Sequence, residues 1–356
     1  MTLSASHPLM DGRTSASDLI TAYRGGIPAR RPVWFMRQAG RSLPEYRTLR
    51  EGTNMLDSCL RPEMASEITL QPVRRHGVDA AIFFSDIVIP LKLAGVDVDI
   101  VPGVGPVLGE AVRTAADVAR LPQLTDASLD PIREAVALTV AELGSTPLIG
   151  FAGAPFTVAA YMVEGKPSRD HLGPRRMMHT DPGTWRALAD WASEASGAFL
   201  RAQLEAGASA GQLFDSWAGS LSLADYEEFV EPASARALAS VKDLGMPLVH
   251  FGTGTGELLP AMRDAGADVV GVDYRLPLAE ASRRLGGNTV LQGNIDPALL
   301  AAPWDVLEEH VRAVLASGDE APSHVVNLGH GVPPDADPAV LTRLVELVHS
   351  IPPAAR

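Results

Sequence analysis

The sequence is nearly devoid of cysteine, short of lysine and poor in aromatic residues, and these shortages exclude whole classes of protein. Cys59 is the only cysteine in 356 residues. Internal disulfides are therefore excluded, as is any metal site built on several thiolates. No apolar run approaches the ~18 residues that a membrane span requires. The opening MTLSASHPLMDGRTSAS lacks the apolar core of a signal peptide. Residues 1–17 are expected to be a loose tail ahead of a domain spanning 18–356, and the protein to be cytoplasmic with no membrane partner. Positive charge is scarce too. Thirty Lys and Arg face 43 Asp and Glu, a net charge of −13, which argues against nucleic acid as a partner. With 46% apolar and 21% charged residues, the chain has the balance of an ordinary soluble protein able to bury a large core.

Only three of the 30 cations are lysine, which looks like a codon bias, so arginine in place of lysine carries little meaning by itself. Its clustering does. Between Arg30 and Arg50 stand six arginines (30, 31, 37, 41, 47 and 50) and one acid, Glu45, where an even spread would place roughly two cations. A solvated surface patch is the plain alternative to a site that collects anions.

Short apolar runs recur along the chain, each ending in Gly or polar residues: 32–38, 79–86, 147–155, 211–217, 247–254, 268–274, 288–296 and 324–331. The segments between them carry helical periodicity, as in 183–208 and 223–245. Apolar strands alternating with amphipathic helices indicate a parallel sheet covered by helices, and eight such units favour a single-domain α/β fold of the (β/α)8 barrel type. Residues 91–112 alternate and are rich in Gly and Pro, and so read as a hairpin-like insertion after the second strand.

A barrel of this kind carries its active site at the C-terminal ends of its strands. The residues there are Arg37 and Gln38, Ser85 and Asp86, Ala154 to Thr157, Asp215 and Ser216, the turn 252–256, Asp273, Asn294 and Asp296, and His330. They contain no histidine pair with carboxylates at metal-ligand spacing. The stretch 248–274 imitates a nucleotide site, with a strand, a glycine-rich turn, a helix and then Asp273. It has only G-x-G-x-G spacing, however, and falls on the fifth and sixth strands rather than the first.

At PVWFMRQAGRSLPEYR (32–47) and GFAGAPFTVAAYMVEG (150–165) the chain resembles the two signatures of the uroporphyrinogen decarboxylase family. Further matches lie at FFSDI (83–87), QLFDSWAGSL (212–221), QGNIDP (292–297) and NLGHGVPPD (327–335). The resemblance runs over about residues 18–350. It implies a (β/α)8 barrel, usually a homodimer, that removes the acetate carboxyls of uroporphyrinogen III to give coproporphyrinogen III in haem biosynthesis, without metal or organic cofactor. It places the substrate-binding residues at Arg37, Gln38, Ala39, Gly40, Arg41, Asp86, Tyr161, Ser216 and His330, with Arg37, Asp86, Tyr161 and His330 catalytic. Trp217 and Pro333 depart from the family's pattern beside the site.

This reading accounts for the arginines, since a substrate with eight carboxylates needs a local cationic focus on a repelling protein, and the arginine fork suits carboxylates. A pyrrole acetate has no neighbouring carbonyl to accept electrons, so a ring carbon must first be protonated. Asp86, ending an apolar strand, is the candidate to stabilise the resulting cation, against the plainer role of capping a turn. Tyr161 and Ser216 are possible donors to carboxylate oxygens, with helix packing and turn capping as their alternatives. His330 is a hydrogen-bond partner or proton shuttle. The proton donor stays open between Arg37, a poor acid, and a water that it holds. Two rival classes remain: corrinoid methyltransferases, whose zinc needs ligands that Cys59 alone does not supply, and a non-catalytic tetrapyrrole carrier.

Overall fold

Apolar runs buried on both faces need helices outside and side chains inside, and the chain supplies both. The computed structural model describes residues 3–354. Its strands are β1 (Ala81–Ile82), β2 (Val98–Val101), β3 (Gly105–Leu108), β4 (Leu148–Gly153), β5 (Ala210–Asp215), β6 (Leu248–Gly252), β7 (Val269–Gly271), β8 (Val290–Ile295) and β9 (His324–Leu328). Seven of them form one curled parallel sheet in the order β1-β4-β5-β6-β7-β8-β9. The other two, β2 and β3, pair antiparallel from Val98↔Leu108 to Val101↔Gly105.

The eighth stave is the segment that starts at Pro32. Val33 bridges Val326 of β9 in parallel register. The Val326 N–H donates to the Pro32 carbonyl at 2.9 Å, and the Trp34 N–H to the Val326 carbonyl at 3.2 Å. On the opposite side the Asp79 N–H donates to the Val33 carbonyl at 2.9 Å, while the Asp79 carboxylate accepts the Val33 N–H at 2.8 Å. This segment closes the sheet into a barrel. The same carboxylate, nearly buried, also takes Arg30 at 2.6 Å and His349 at 2.7 Å, so one acid pins the seam from the backbone and from two side chains.

The bottom of the barrel is plugged by the helix Asp18–Tyr23, which Ser17 caps. The buried Tyr23 hydroxyl donates to Gln292 Oε1 at 2.5 Å and accepts the Trp34 indole N–H at 3.2 Å. The Gln292 amide passes the chain on to Gln212 at 3.1 Å. Apart from Gln212 Nε2, each polar group of this relay meets a partner, which removes most of the cost of burying it.

Several expectations are corrected. The segment 3–17 is not loose: His7 and Thr14 are buried, bonded through the His7 ring to the Leu204 carbonyl at 3.0 Å and through the Thr14 hydroxyl to Ser209 at 2.8 Å. Residues 1–2 of that tail lie outside the described residues, as do 355–356. The range 91–112 opens inside a helix, Ile89–Ala94, whose first three residues are buried, and alternation begins only at Val98. The periodic stretch 223–245 is two helices, Leu223–Phe229 and Glu231–Ala239. They part at Val230 because Pro232 has no N–H to continue the ladder and its ring crowds the carbonyl four residues back.

One buried ring offers a test of the fold. His324 is enclosed, its Nε2 bonded to the Gly293 carbonyl at 2.6 Å, and a Cβ on Gly318 would lie 2.2 Å from its Nδ1. Burial, helped by Arg31, pushes its pKa down to about 4 against the opposing pull of the Gly293 carbonyl and Asp319. The unfolded ring binds a proton near 6.5, so from there down to about 4 the unfolded chain holds more protons than the folded one. Stability falls as pH falls through that window, by on the order of 3 kcal/mol from this group. Thermal unfolding measured from pH 7 to 4.5 is expected to show this loss. His324→Gln, less stable at pH 7, is expected to show a shallower slope, and equal slopes would contradict the assignment.

Candidate active site

Barrel order decides which strand ends meet. Going round the rim, β9, the Pro32 stave, β1, β4 and β5 are consecutive neighbours. Just beyond their C-terminal ends stand His330, Arg37, Asp86 and Ser216, and Tyr161 lies in the helix Pro155–Glu164 that follows β4. Five expected residues far apart in sequence therefore share one half of the mouth. The other half carries the turn 252–256, Asp273 and Asn294.

Arg37 occupies a backbone conformation that side chains seldom adopt, with φ at +61°. It is the third residue of a turn closed by the Gln38 N–H to the Phe35 carbonyl at 3.0 Å, a position usually given to glycine. Neighbours on both sides hold it there. Asn327 Oδ1 takes the Met36 N–H at 3.0 Å, and the Val332 N–H reaches the Met36 carbonyl at 2.8 Å. The Gln38 amide accepts from Phe35 N–H at 2.9 Å and donates to the Ala80 carbonyl at 3.0 Å. Gly40 is required because a Cβ there would sit 2.9 Å from the Arg37 carbonyl oxygen. A Cβ on Gly331 would lie 2.4 Å from Arg37 Cδ, so the arginine stem rests directly on the loop that carries His330.

The charge of Arg37 is felt by Asp86, Tyr161 and His330 together. Burial raises the Asp86 carboxyl above its ordinary range, while the N–H groups of Val88 and Ile87 and the charge of Arg37 pull it back. Asp86 keeps part of its surface open to the cleft, yet it lies deep enough for burial to dominate. It does cap a turn, accepting the Val88 N–H at 3.0 Å, and among the described residues no side chain donates to it. Behind it lies buried Cys59, whose thiol is raised by burial and by the Asp86 charge. The Tyr161 phenol is pushed up to about 12 by burial and then by Asp86, and so remains a neutral donor. His330 is lowered by burial, Arg37 and Arg275 against the pull of Asp273. Its Nδ1 accepts the Gly331 N–H at 2.6 Å, leaving the proton of the neutral ring on Nε2.

The arginine cluster divides by partner. Arg30 pairs with Asp79, and buried Arg31 with Asp319. Arg47 bonds the Arg41 carbonyl at 2.7 Å, and Arg50 reaches Ser58, Tyr46 and Thr53. Arg37 and Arg41 are exposed, and their guanidinium groups form no hydrogen bond or ion pair among the described residues. Ser216 is half-buried, and its carbonyl receives Thr253 at 2.7 Å. Of the other expected site residues, Gln38 has its side chain fully buried in the wall and Ala39 packs its methyl in the core.

The nucleotide-like stretch is also explained from within. Asp273 accepts the Gly254 N–H at 2.6 Å and pairs with Arg275, so the acid that a ribose would need is engaged by its own loop. Among the described residues no group of three or more His, Cys, Asp or Glu is arranged to hold a metal ion. The sequence reading missed Arg275, whose charge reaches His330, and the stacking of Trp217 on Tyr161 with ring centroids 3.8 Å apart.

The model of the uroporphyrinogen decarboxylase (URO-D) family matches residues 14–351. The uroporphyrinogen decarboxylase of Arthrobacter sp. (strain FB24) is 80% identical over 344 residues, covering 97% of this chain and 100% of that one. That of Leifsonia xyli subsp. xyli (strain CTCB07) is 64% identical over 368 residues, covering 98% of each. Among solved structures, a methyltransferase from Methanosarcina mazei superposes with a TM-score of 0.79 at 18% identity, covering 95% of this chain and 98% of that one. At that identity the likeness is one of fold alone.

The contact between Arg37 and Gly331 gives a direct test. Gly331→Ala is expected to displace the arginine stem with little effect on the unfolding temperature, because a flexible side chain yields. Turnover at saturation or kcat/KM is expected to drop by about 10- to 100-fold. Wild-type kinetics in a folded variant would show that the position of Arg37 does not matter.

Proposed function

Because the chain belongs to the uroporphyrinogen decarboxylase family, it converts the four acetate side chains of uroporphyrinogen III to methyl groups in haem biosynthesis, and we propose that Asp86 is the group that makes the reaction possible. The observation that carries this assignment is a carboxylate deep in the mouth, anchored only by the N–H groups of its own turn. The chemistry needs a negative charge of this kind. A proton adds to a ring carbon of the pyrrole, the C–C bond to the carboxylate breaks, its electron pair enters the cationic ring, and carbon dioxide leaves. A second proton on the exocyclic methylene completes the methyl group, and loss of the first proton from the ring carbon restores the aromatic pyrrole. The protonated ring is the costly species, and a preformed carboxylate facing the pyrrole N–H groups stabilises it more than the neutral ring that precedes it.

The remaining residues bind and orient. Arg37 and Arg41, free of protein carboxylates, receive those of the substrate through paired N–H bonds. Tyr161, neutral throughout the working range, and the Ser216 hydroxyl donate to acetate or propionate oxygens, and His330 donates through Nε2–H. A water held by Arg37 supplies the ring proton, since a guanidinium is too weak an acid to do so itself. No step uses a metal or organic cofactor. A homodimer and a cytoplasmic location are part of the same proposal, supported by the family resemblance. Among the described residues no helix is long and apolar enough to cross a membrane.

Two outcomes test this reading. Asp86→Asn keeps the turn and removes the charge, and is expected to lower kcat by a factor on the order of 10² to 10³ with little change in KM. Burial disfavours the Asp86 charge, so the variant is expected to unfold at the same or a higher temperature. The acid limb of kcat/KM, which in the wild type lies above the ordinary carboxylate range because only the ionised form works, is expected to vanish. Near-normal turnover with a raised KM would move the assignment elsewhere. Added salt is expected to raise KM by screening Arg37 and Arg41 over ~10 Å at 0.1 M, and a flat response would count against capture by exposed charge.

A further inference from the structure

Nothing in the hydrogen bonding of the protein fixes where the Tyr161 hydroxyl points, because among the described residues it has no partner. Its ring is held by stacking instead. Trp217, in the turn that carries Ser216, lies 3.8 Å from it between centroids, with 25° between the planes. The ring of His171 lies 4.2 Å from Trp217 at 33°. Two rings that close to one indole and that nearly parallel to it would overlap if they shared a face. His171 therefore covers the face that Tyr161 leaves open, and Trp217 is clamped between them.

The backbone of the clamp is tied to the helix of Tyr161, Pro155–Glu164. The Trp217 N–H donates to Thr157 Oγ1 at 3.3 Å, and that hydroxyl donates to buried Asp215 at 2.7 Å. His171 is harder to explain as packing. It has φ at +47°, is 8% exposed, and neither of its ring nitrogens has a hydrogen bond. A left-handed backbone at a non-glycine residue and an unsatisfied buried ring are both disfavoured, and they persist where a site needs them. Burial outweighs the charges of Glu164 and Asp170 and lowers the imidazole below its ordinary range, so it packs as a neutral plate.

We propose that Trp217, backed by His171, is a positioning residue for the decarboxylation, acting by holding the Tyr161 phenol at the angle from which its hydroxyl meets a substrate carboxylate. This rests on the reading of Tyr161 as a substrate contact given above. It assigns a task to the residue that follows Ser216, and explains why a costly histidine stands behind it.

A double-mutant cycle on the full-length enzyme tests it. Trp217→Leu is expected to lower kcat by about tenfold with a smaller change in KM, and Trp217→Phe, which keeps a stacking ring, to recover most of that loss. His171→Ala removes the outer plate without touching the Ser216 turn, so it serves if Trp217→Leu does not fold, and a smaller loss of the same kind is expected. In a Tyr161→Phe background neither substitution is expected to reduce kcat further, since the hydroxyl they aim is gone. Tyr161→Phe with wild-type turnover would overturn the reading of Tyr161 and this inference with it. An impaired Tyr161→Phe on which the Trp217 and His171 effects remain fully additive would overturn this inference alone.

Discussion

Closure of the barrel at the Pro32 stave is the constraint from which the site follows. That segment is too short to pair as a regular strand, yet it bonds to β9 on one side and to Asp79 on the other. Because it lies between them, the residue that follows it must emerge between the residues that follow β9 and β1. Arg37 thereby stands between His330 and Asp86, and its stem lies on Gly331. An acidic chain with few cations to spend has placed one of them where three titratable groups feel it at once.

The three shifts share a cause. Burial comes first for Asp86, Tyr161 and His330, and in each it favours the uncharged form. In the proposed mechanism the neutral form of Tyr161 and His330 is the useful one, a donor that does not repel carboxylates. For Asp86 it is not, and the turn amides and Arg37 oppose the burial that would protonate it. A carboxylate that works in its ionised form against such burial, as proposed for Asp86, gains most when positive charge appears beside it. The conflict between stability and activity is concentrated at that one residue.

Legibility in the sequence followed the range of the forces involved. The eight staves were visible because burial on both faces writes an apolar run into the chain, although β1 and β7 are shorter than the runs 79–86 and 268–274 that announced them. Asp86 was legible as an acid closing an apolar strand. The split at Val230 was also written there, in Pro232, but periodicity masked it. What remained hidden depends on contacts remote in sequence. His7 and Thr14 look like tail residues until Leu204 and Ser209 come to meet them. Gln38 looks like a ligand-binding amide until Ala80 takes it into the wall. His171 offers no local signal, since its meaning lies in a ring 46 positions further on.

The seam also bears on how the chain is made. Val33 leaves the ribosome long before Val326, with which it pairs. Until then the nascent polypeptide carries an unfinished sheet with two raw edges, and the first stave has no partner beyond Asp79. Contacts so distant in sequence form slowly, and exposed edges invite pairing with other chains. The unusual backbone at Arg37 relies on Asn327 and Val332, so the cationic centre cannot take shape on a partial product of translation. A truncated or stalled chain would hold Asp86, Tyr161 and Ser216 with no fixed arginine to face them, and the capacity to gather a polyanion arrives only with the final stave.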